Sequence, residues 1–161
     1  MDRYSFNYRR GAITEERAEI QALFDEAKRA IATAYAPYSG FRVGAAILLS
    51  DQSILTGSNH ENASYPAGIC AERAALASLE MTDKSRYVKT LLVTYEDPMK
   101  TTKPISPCGI CRQSLLEVEQ WQGKPVTIYL CNSAGDFIFL ETADCLMPFA
   151  FGSRFLSNEG S

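Results

Sequence analysis

The sequence predicts an α/β fold: one mixed sheet of five strands with three main helices packed on its faces. Three observations point there. Apolar spacing switches between helical and strand periods several times along the chain. Two pairs of strand-like runs are joined by connections too short for anything but hairpins. The other strands are separated by helical segments, which is how a sheet with parallel pairs is built. The chain has 161 residues, 46% hydrophobic and 22% charged. That length suits a single domain able to bury about 70% of its unfolded surface. The same balance excludes disorder, collagen and coiled coil.

Each element has its own signal. Over 14–35, Ile20, Leu23, Phe24, Ala27 and Ile31 recur at helical spacing, with Glu15 and Glu16 in the first turn. Turn residues at 36–40 end that helix. Strands are expected at 43–50 and 53–57, separated only by Asp51 and Gln52. A polar loop over 58–67 precedes an alanine- and leucine-rich helix at 70–79. A strand at 89–95 runs into a loop at 97–107 with prolines at 98, 104 and 107. The helix at 111–121 offers Leu115, Leu116 and Val118 for burial. Strands at 126–131 and 136–140 form a second hairpin, and the tail from Thr142 reads as short helices. The crossovers through the helices at 70–79 and 111–121 favour parallel pairing. The chain divides into an N-terminal extension, 1–13, and a single domain, 14–161.

Charge and composition narrow the function. Sixteen basic and nineteen acidic residues give a net charge of -3 and a pI near 5.2, so no nucleic-acid partner is expected. The longest run without polar residues, 43–49, is far too short for a membrane span. Residues 1–10 contain no apolar core of a secretory signal, so a soluble cytoplasmic protein is expected. The five cysteines are an odd number and the chain needs no disulfide staples. Cys131 and Cys145 read as core residues.

Cys70, Cys108 and Cys111 read differently. Cysteines three apart on a first helical turn put both sulfurs on one face. Pro107 suits a helix start, and a helix N-terminus favours the thiolate. The Cys108-Gly-Ile-Cys111 motif alone is shared with redox motifs and zinc ribbons. Cys70 opens the other buried helix, so its thiolate converges with this pair when the two helices are neighbours across parallel strands. Three sulfurs suit zinc and leave a fourth position for water. Glu72, two residues past Cys70, can lean over that position as a proton carrier. Its plainer role is that of a first-turn acid against the helix dipole.

Cys70-Ala-Glu72 followed by Pro107-Cys-Gly-Ile-Cys111 reproduces the three-cysteine form of the zinc-deaminase signature. With Tyr38-Ser-Gly-Phe-Arg-Val-Gly-Ala-Ala46, Asn59-His-Glu-Asn-Ala-Ser-Tyr65 and Ser106-Pro-Cys-Gly-Ile-Cys-Arg-Gln113, the chain resembles the homotetrameric zinc-dependent cytidine deaminases from about Ile20 to Phe151. The resemblance implies a three-layer α/β/α fold around a five-stranded mixed sheet. It implies one Zn²⁺ per chain on Cys70, Cys108 and Cys111, with Glu72 as proton shuttle. It implies Asn59 and Glu61 on the ribose, Phe41 against the pyrimidine and the Ala71 backbone on the base. Ala63 and Tyr65 would serve a neighbouring subunit's site, and Phe151 would stack on the base from another subunit. Arg73 would donate to the zinc thiolates and offset their surplus negative charge.

The implied activity is hydrolytic deamination of cytidine and deoxycytidine, a reaction of pyrimidine salvage. Two alternatives accompany it. One is a deaminase of an N4-substituted cytidine or an antibiotic nucleoside. The other is a non-catalytic zinc module whose metal is closed by His60 or a fourth cysteine. His60, the chain's single histidine, stands where the family carries an aliphatic residue. Its charge beside Glu61 is expected to compete with the sugar, raising KM as pH falls through about 6.5.

Overall fold

The computed structural model describes residues 3–99 and 101–156. Among these the strands are β1 (Arg9–Ala12), β2 (Arg42–Leu49), β3 (Ile54–Ser58), β4 (Val88–Glu96), β5 (Thr127–Cys131) and β6 (Asp136–Leu140). The helices are α1 (Ala18–Ala30), α2 (Ala71–Leu76) and α3 (Gly109–Gln122), with short 3₁₀ turns between and after them. The strands form one sheet in the order β1-β6-β5-β4-β2-β3.

Side-chain alternation on the central strands divides the core in two. Ala46 and Leu48 of β2, Leu92 of β4 and Tyr129 of β5 pack with Ile20, Leu23, Phe24 and Ala27 of α1. Their neighbours Ala45, Ile47, Leu91, Val93, Ile128 and Leu130 face Ala71 and Ala75 of α2 and Leu115 and Val118 of α3. The result is three layers, with seven of the eight β2 residues buried, as a strand covered on both faces requires. Two glycines let the helices approach. A Cβ on Gly44 would overlap the Ala27 carbonyl of α1, and one on Gly57 would overlap the α2 backbone at Ala71 and Ala75.

Three expectations change. The sheet has six strands, not five, because Arg9–Ala12 pairs antiparallel with β6, Arg9 opposite Phe139 and Gly11 opposite Phe137. The Arg9 guanidinium lies 4.9 and 5.0 Å from the Phe137 and Phe139 ring centroids and pairs with Glu16 at 2.6 Å. Glu16 also accepts from the Tyr129 hydroxyl at 3.0 Å. Arg9–Ala12, inside the expected extension, is thus part of the same sheet, although Arg-Arg-Gly-Ala carries no strand alternation. The pairing is decided by the open edge of β6. Second, only one of the two crossovers yields a parallel pair, β4–β5. β3 and β4 do run the same way, but β2 lies between them, antiparallel to both. Third, α2 is shorter than 70–79. Its last residues tighten into i→i−3 bonds, Ser78 N to Ala75 O and Leu79 N to Leu76 O.

Helix α3 anchors the segments C-terminal to it. Its Glu119 accepts from Val126 N, Ala143 N and Thr142 Oγ1 at 2.8, 2.8 and 2.5 Å. The tail's first turn, Ala143–Leu146, is thereby held against α3.

Candidate metal centre and substrate cavity

Cys70 is the N-cap of α2 and Cys108 the N-cap of α3, with Cys111 one turn further on. Pro107 therefore precedes the cap instead of occupying the first helical position. The β4–α3–β5 crossover brings the two helix starts to the same end of the sheet. Cys70 Sγ lies 3.6 Å from Cys108 Sγ, which lies 3.5 Å from Cys111 Sγ. All three sulfurs fall within 4.8 Å of one another. Zn–S bonds of about 2.3 Å in a tetrahedron put sulfurs about 3.8 Å apart, so this spacing suits zinc. No histidine, carboxylate or further cysteine joins the cluster among the described residues. His60, Cys131 and Cys145 all stand outside it, which removes the basis for a closed structural site.

The thiols perturb one another strongly. Hydrogen bonds from Cys111 and then Cys108, with the Arg73 charge, pull Cys70 down to about 6 against the effect of burial. The bond to Cys70 and its own burial push Cys111 up, and the charges of Glu72 and Cys70 add to the rise. A dication at this point would take all three sulfurs as thiolates. Arg112 holds the approach to Cys108: it donates to Pro107 O at 2.9 Å, Leu146 O at 3.3 Å and Ser106 Oγ at 2.9 Å.

Glu72 is 4% exposed. Burial raises its carboxyl above the ordinary range; its own backbone N–H opposes this, and the Cys70 charge adds to it. A carboxyl that takes up a proton readily, beside an incomplete metal shell, is suited to carry protons.

A cavity of about 240 Å³ joins Glu72, Cys70, Cys108 and Ala71 to Phe41, Asn59 and Glu61. Five sequence-predicted substrate and catalytic residues thus share one space with two of the sulfurs. Ser39, Ile105 and Ser106 also line it. Ser39 and Ser106 sit inside the motif blocks but had no role assigned to them. Nothing in the sequence marks Ile105.

Asn59 and Glu61 have structural duties as well. Asn59 Oδ1 accepts from Val43 N at 2.7 Å while its Nδ2 donates to Phe41 O at 2.9 Å. Glu61 Oε2 accepts from Tyr38 N and Ser39 N at 2.8 and 3.2 Å, and Oε1 accepts from Ser39 Oγ. Ser39 Oγ in turn accepts from Phe41 N at 3.0 Å. The two polar residues therefore sew the 38–43 segment into place and aim Phe41. These bonds, the one from Ser39 Oγ foremost, hold the Glu61 carboxyl below its ordinary range. His60 is exposed, and its Nε2 lies 3.5 Å from Ser58 Oγ. Its ring thus reaches Ser58, while the Glu61 carboxylate is engaged by segment 38–39. A charge on an exposed ring is also screened, so the expected competition for Glu61 finds no support in the geometry.

Three predicted residues stand apart. Tyr65 is 78% exposed, meets Tyr38 edge-on at 6.3 Å, and lines an outer depression of about 570 Å³ with His60, Arg73 and Ile110. Ala63 is exposed nearby. Phe151 is 58% exposed and stacks on Phe155 at 5.6 Å, lining neither space.

A three-layer sheet with three cysteine sulfurs at two helix starts, an open metal position and a buried carboxyl beside it defines a zinc-dependent hydrolytic deaminase centre. Residues 17–123 match the family described as the cytidine and deoxycytidylate deaminase zinc-binding region. The cytidine deaminase of Sporosarcina psychrophila is 40% identical over 139 residues, 86% of this chain and 96% of that one. That of Halalkalibacterium halodurans is 40% identical over 81% of this chain and 92% of its own. The crystal structure of cytidine deaminase from Burkholderia pseudomallei superposes with a TM-score of 0.68 at 40% identity, covering 81% of this chain and 98% of that one. The chain belongs to the cytidine deaminase family. It is a zinc-dependent enzyme, and β1 lies before the region that the family model matches.

Proposed function

We propose that the chain converts cytidine and deoxycytidine with water to uridine and deoxyuridine, releasing ammonia. The observation that carries this is the shared cavity: buried Glu72 and the sulfur ligands Cys70 and Cys108 line one space with Asn59 and Glu61. Zinc bound by Cys70, Cys108 and Cys111 would make a water at its open position acidic near neutral pH. Glu72 would take a proton from the attacking water and deliver it to N3 of the base, making C4 electrophilic. The water oxygen adds to C4, Glu72 passes the second proton to the amino group, and ammonia leaves. Phe41 backs the ring, and the Ala71 backbone meets the base. Asn59 has one Nδ2 hydrogen outside its two loop bonds for a ribose hydroxyl, and among the described residues Glu61 Oε1 accepts only from Ser39. The proximity of Arg73, already felt by Cys70, offsets the surplus charge of three thiolates.

The working form is a homotetramer with shared sites, in the cytoplasm, where thiols stay reduced. Exposure of Tyr65 and Phe151 supports the sharing: each is an aromatic that lies outside the inner cavity of its own chain. Among the described residues no helix is long and apolar enough to cross a membrane. Ammonia release from cytidine, deoxycytidine, free cytosine and an N4-substituted cytidine tests the assignment. Turnover of the first two is expected. Preference for the N4-substituted compound would instead make it a deaminase of modified bases.

A further inference from the structure

Behind the cavity wall lies a residue that none of the motif blocks contains. Tyr95, next to last on β4, is 2% exposed. Its ring stacks on Phe41, centroids 5.0 Å apart and planes 14° from parallel. Its hydroxyl lies 2.9 Å from Thr101 O and 2.6 Å from Lys103 O, so its one proton is shared between two carbonyls. Burial, with Asp97 nearby, keeps that hydroxyl protonated and therefore a donor. The clamped segment runs directly into Ile105 and Ser106, which line the cavity, and then into Pro107 and the ligand Cys108. A second tie supports the same segment from the other side, where Asn132 Nδ2 donates to Thr102 O at 2.6 Å.

We propose that Tyr95 is a positioning residue that sets the width of the nucleoside cavity, its ring backing Phe41 on one wall and its hydroxyl placing the Ile105–Cys108 segment on the other. The proposal rests on the reading of this cavity as the nucleoside site. One rigid side chain packed on Phe41 and bonded to the 101–103 stretch that leads into Ile105 couples two cavity-lining segments through a single ring. It also ties the approach to Cys108 to the sheet, so the same hydroxyl bears on how firmly the cluster keeps its metal.

The test compares the zinc-loaded full chain with Tyr95→Phe and Tyr95→Leu. The readouts are KM and kcat for cytidine and the rate of zinc transfer to a chromogenic chelator. Phenylalanine keeps the ring and removes the hydroxyl. KM should rise about twofold as the Ile105–Cys108 segment loosens, less than for leucine, while zinc transfer quickens about fivefold, the scale of one lost hydrogen bond. Leucine removes both contacts, so KM should rise about fivefold or more, in line with a lost aromatic pair, and zinc transfer should quicken as well. A residue that merely filled the core would lower the active fraction, and hence apparent kcat, without moving KM. Unchanged zinc transfer in the phenylalanine variant overturns the proposal, as does unchanged KM in the leucine variant. If the leucine variant does not fold, Tyr95→Met takes its place, and the phenylalanine variant still decides the segment's role. Absence of cytidine turnover in the parent would count against the nucleoside reading, whereas zinc transfer needs no substrate and is judged separately.

Discussion

Glu72 combines burial with a place beside three sulfurs, and the chemistry proposed for it needs both. Replacing it with glutamine preserves shape but removes the carboxyl that must carry a proton at each of two steps. Glu72→Gln should keep about one zinc per chain and the parent's melting temperature, yet lose at least about 10³-fold in kcat. Metal analysis alongside steady-state turnover checks this, and a zinc-loaded variant with near-parent kcat would refute the relay. At the sugar end, the carboxyl whose titration matters is that of Glu61, and its bonds set the sign. Its folded pKa is depressed, so its clamp on segment 38–39 is intact above the ordinary value of 4.5. The clamp is lost only as pH falls through the lower, folded value. His60 faces Ser58 and has no such grip. KM for cytidine should therefore stay flat from about pH 8 to about 5.5, and His60→Val should superimpose on the parent. A KM that rises near pH 6.5 in the parent and not in the variant would restore the histidine as a modulator.

At the scale of elements, the metal centre depends on two helix starts being held at one sheet edge. α3 is well secured, with Glu119 and Gln122 bonded to the backbone of neighbouring segments and Gly123 closing it in the left-handed conformation. α2 is only six residues long and owes its position to contact with β3. There Gly57 allows the helix backbone to lie directly on the strand. Gly57→Val should lift α2, displace Cys70 from the other two sulfurs and destabilise the protein by about 2–3 kcal/mol, the range for overpacking. Denaturant unfolding with a parallel zinc assay checks it; a variant that unfolds earlier but holds zinc as tightly would show that Cys70 does not depend on this contact. The three helices and five of the strands were legible from period and hairpin spacing. β1 was not, since Arg9-Arg-Gly-Ala12 has neither alternation nor a turn signal. Its strand conformation comes from the unpaired edge of β6, and from Gly11, which leaves room for the Phe137 ring.

At the scale of the whole molecule, the inner cavity of about 240 Å³ is smaller than the 300 Å³ or so at which ligand pockets begin. It lies beside a broad outer depression that shares Asn59, Glu61, Cys70 and Cys108 with it. Exposed aromatics, Tyr65 at 78%, Phe149 at 97% and Phe151 at 58%, suit completion of the site by another copy. In the proposed tetramer, Phe151→Ala should raise KM about tenfold with zinc retained. Mixing it with Glu72→Gln, each inactive or weakened for a different reason, should recover activity as subunits exchange. Light scattering and a mixing assay decide the matter: a fully active monomer, or mixtures with no more than additive activity, would refute shared sites.

By itself the sequence determined the family and its metal. Ligand thiols, a carboxyl two residues away and helix starts are local in the chain, and helical geometry converts such spacing directly into direction. The polar loop residues Asn59 and Glu61 were recognisable by position, though their bonds to segment 38–43 were not, because those partners lie some twenty residues away. Only the tertiary structure decided that the sulfurs converge, that β2 separates β3 from β4, and that Arg9–Ala12 joins the sheet. It alone showed Tyr95 stacked on Phe41 and bonded to the 101–103 segment. Those facts depend on which edges and faces meet, and period and spacing along a chain carry no record of that.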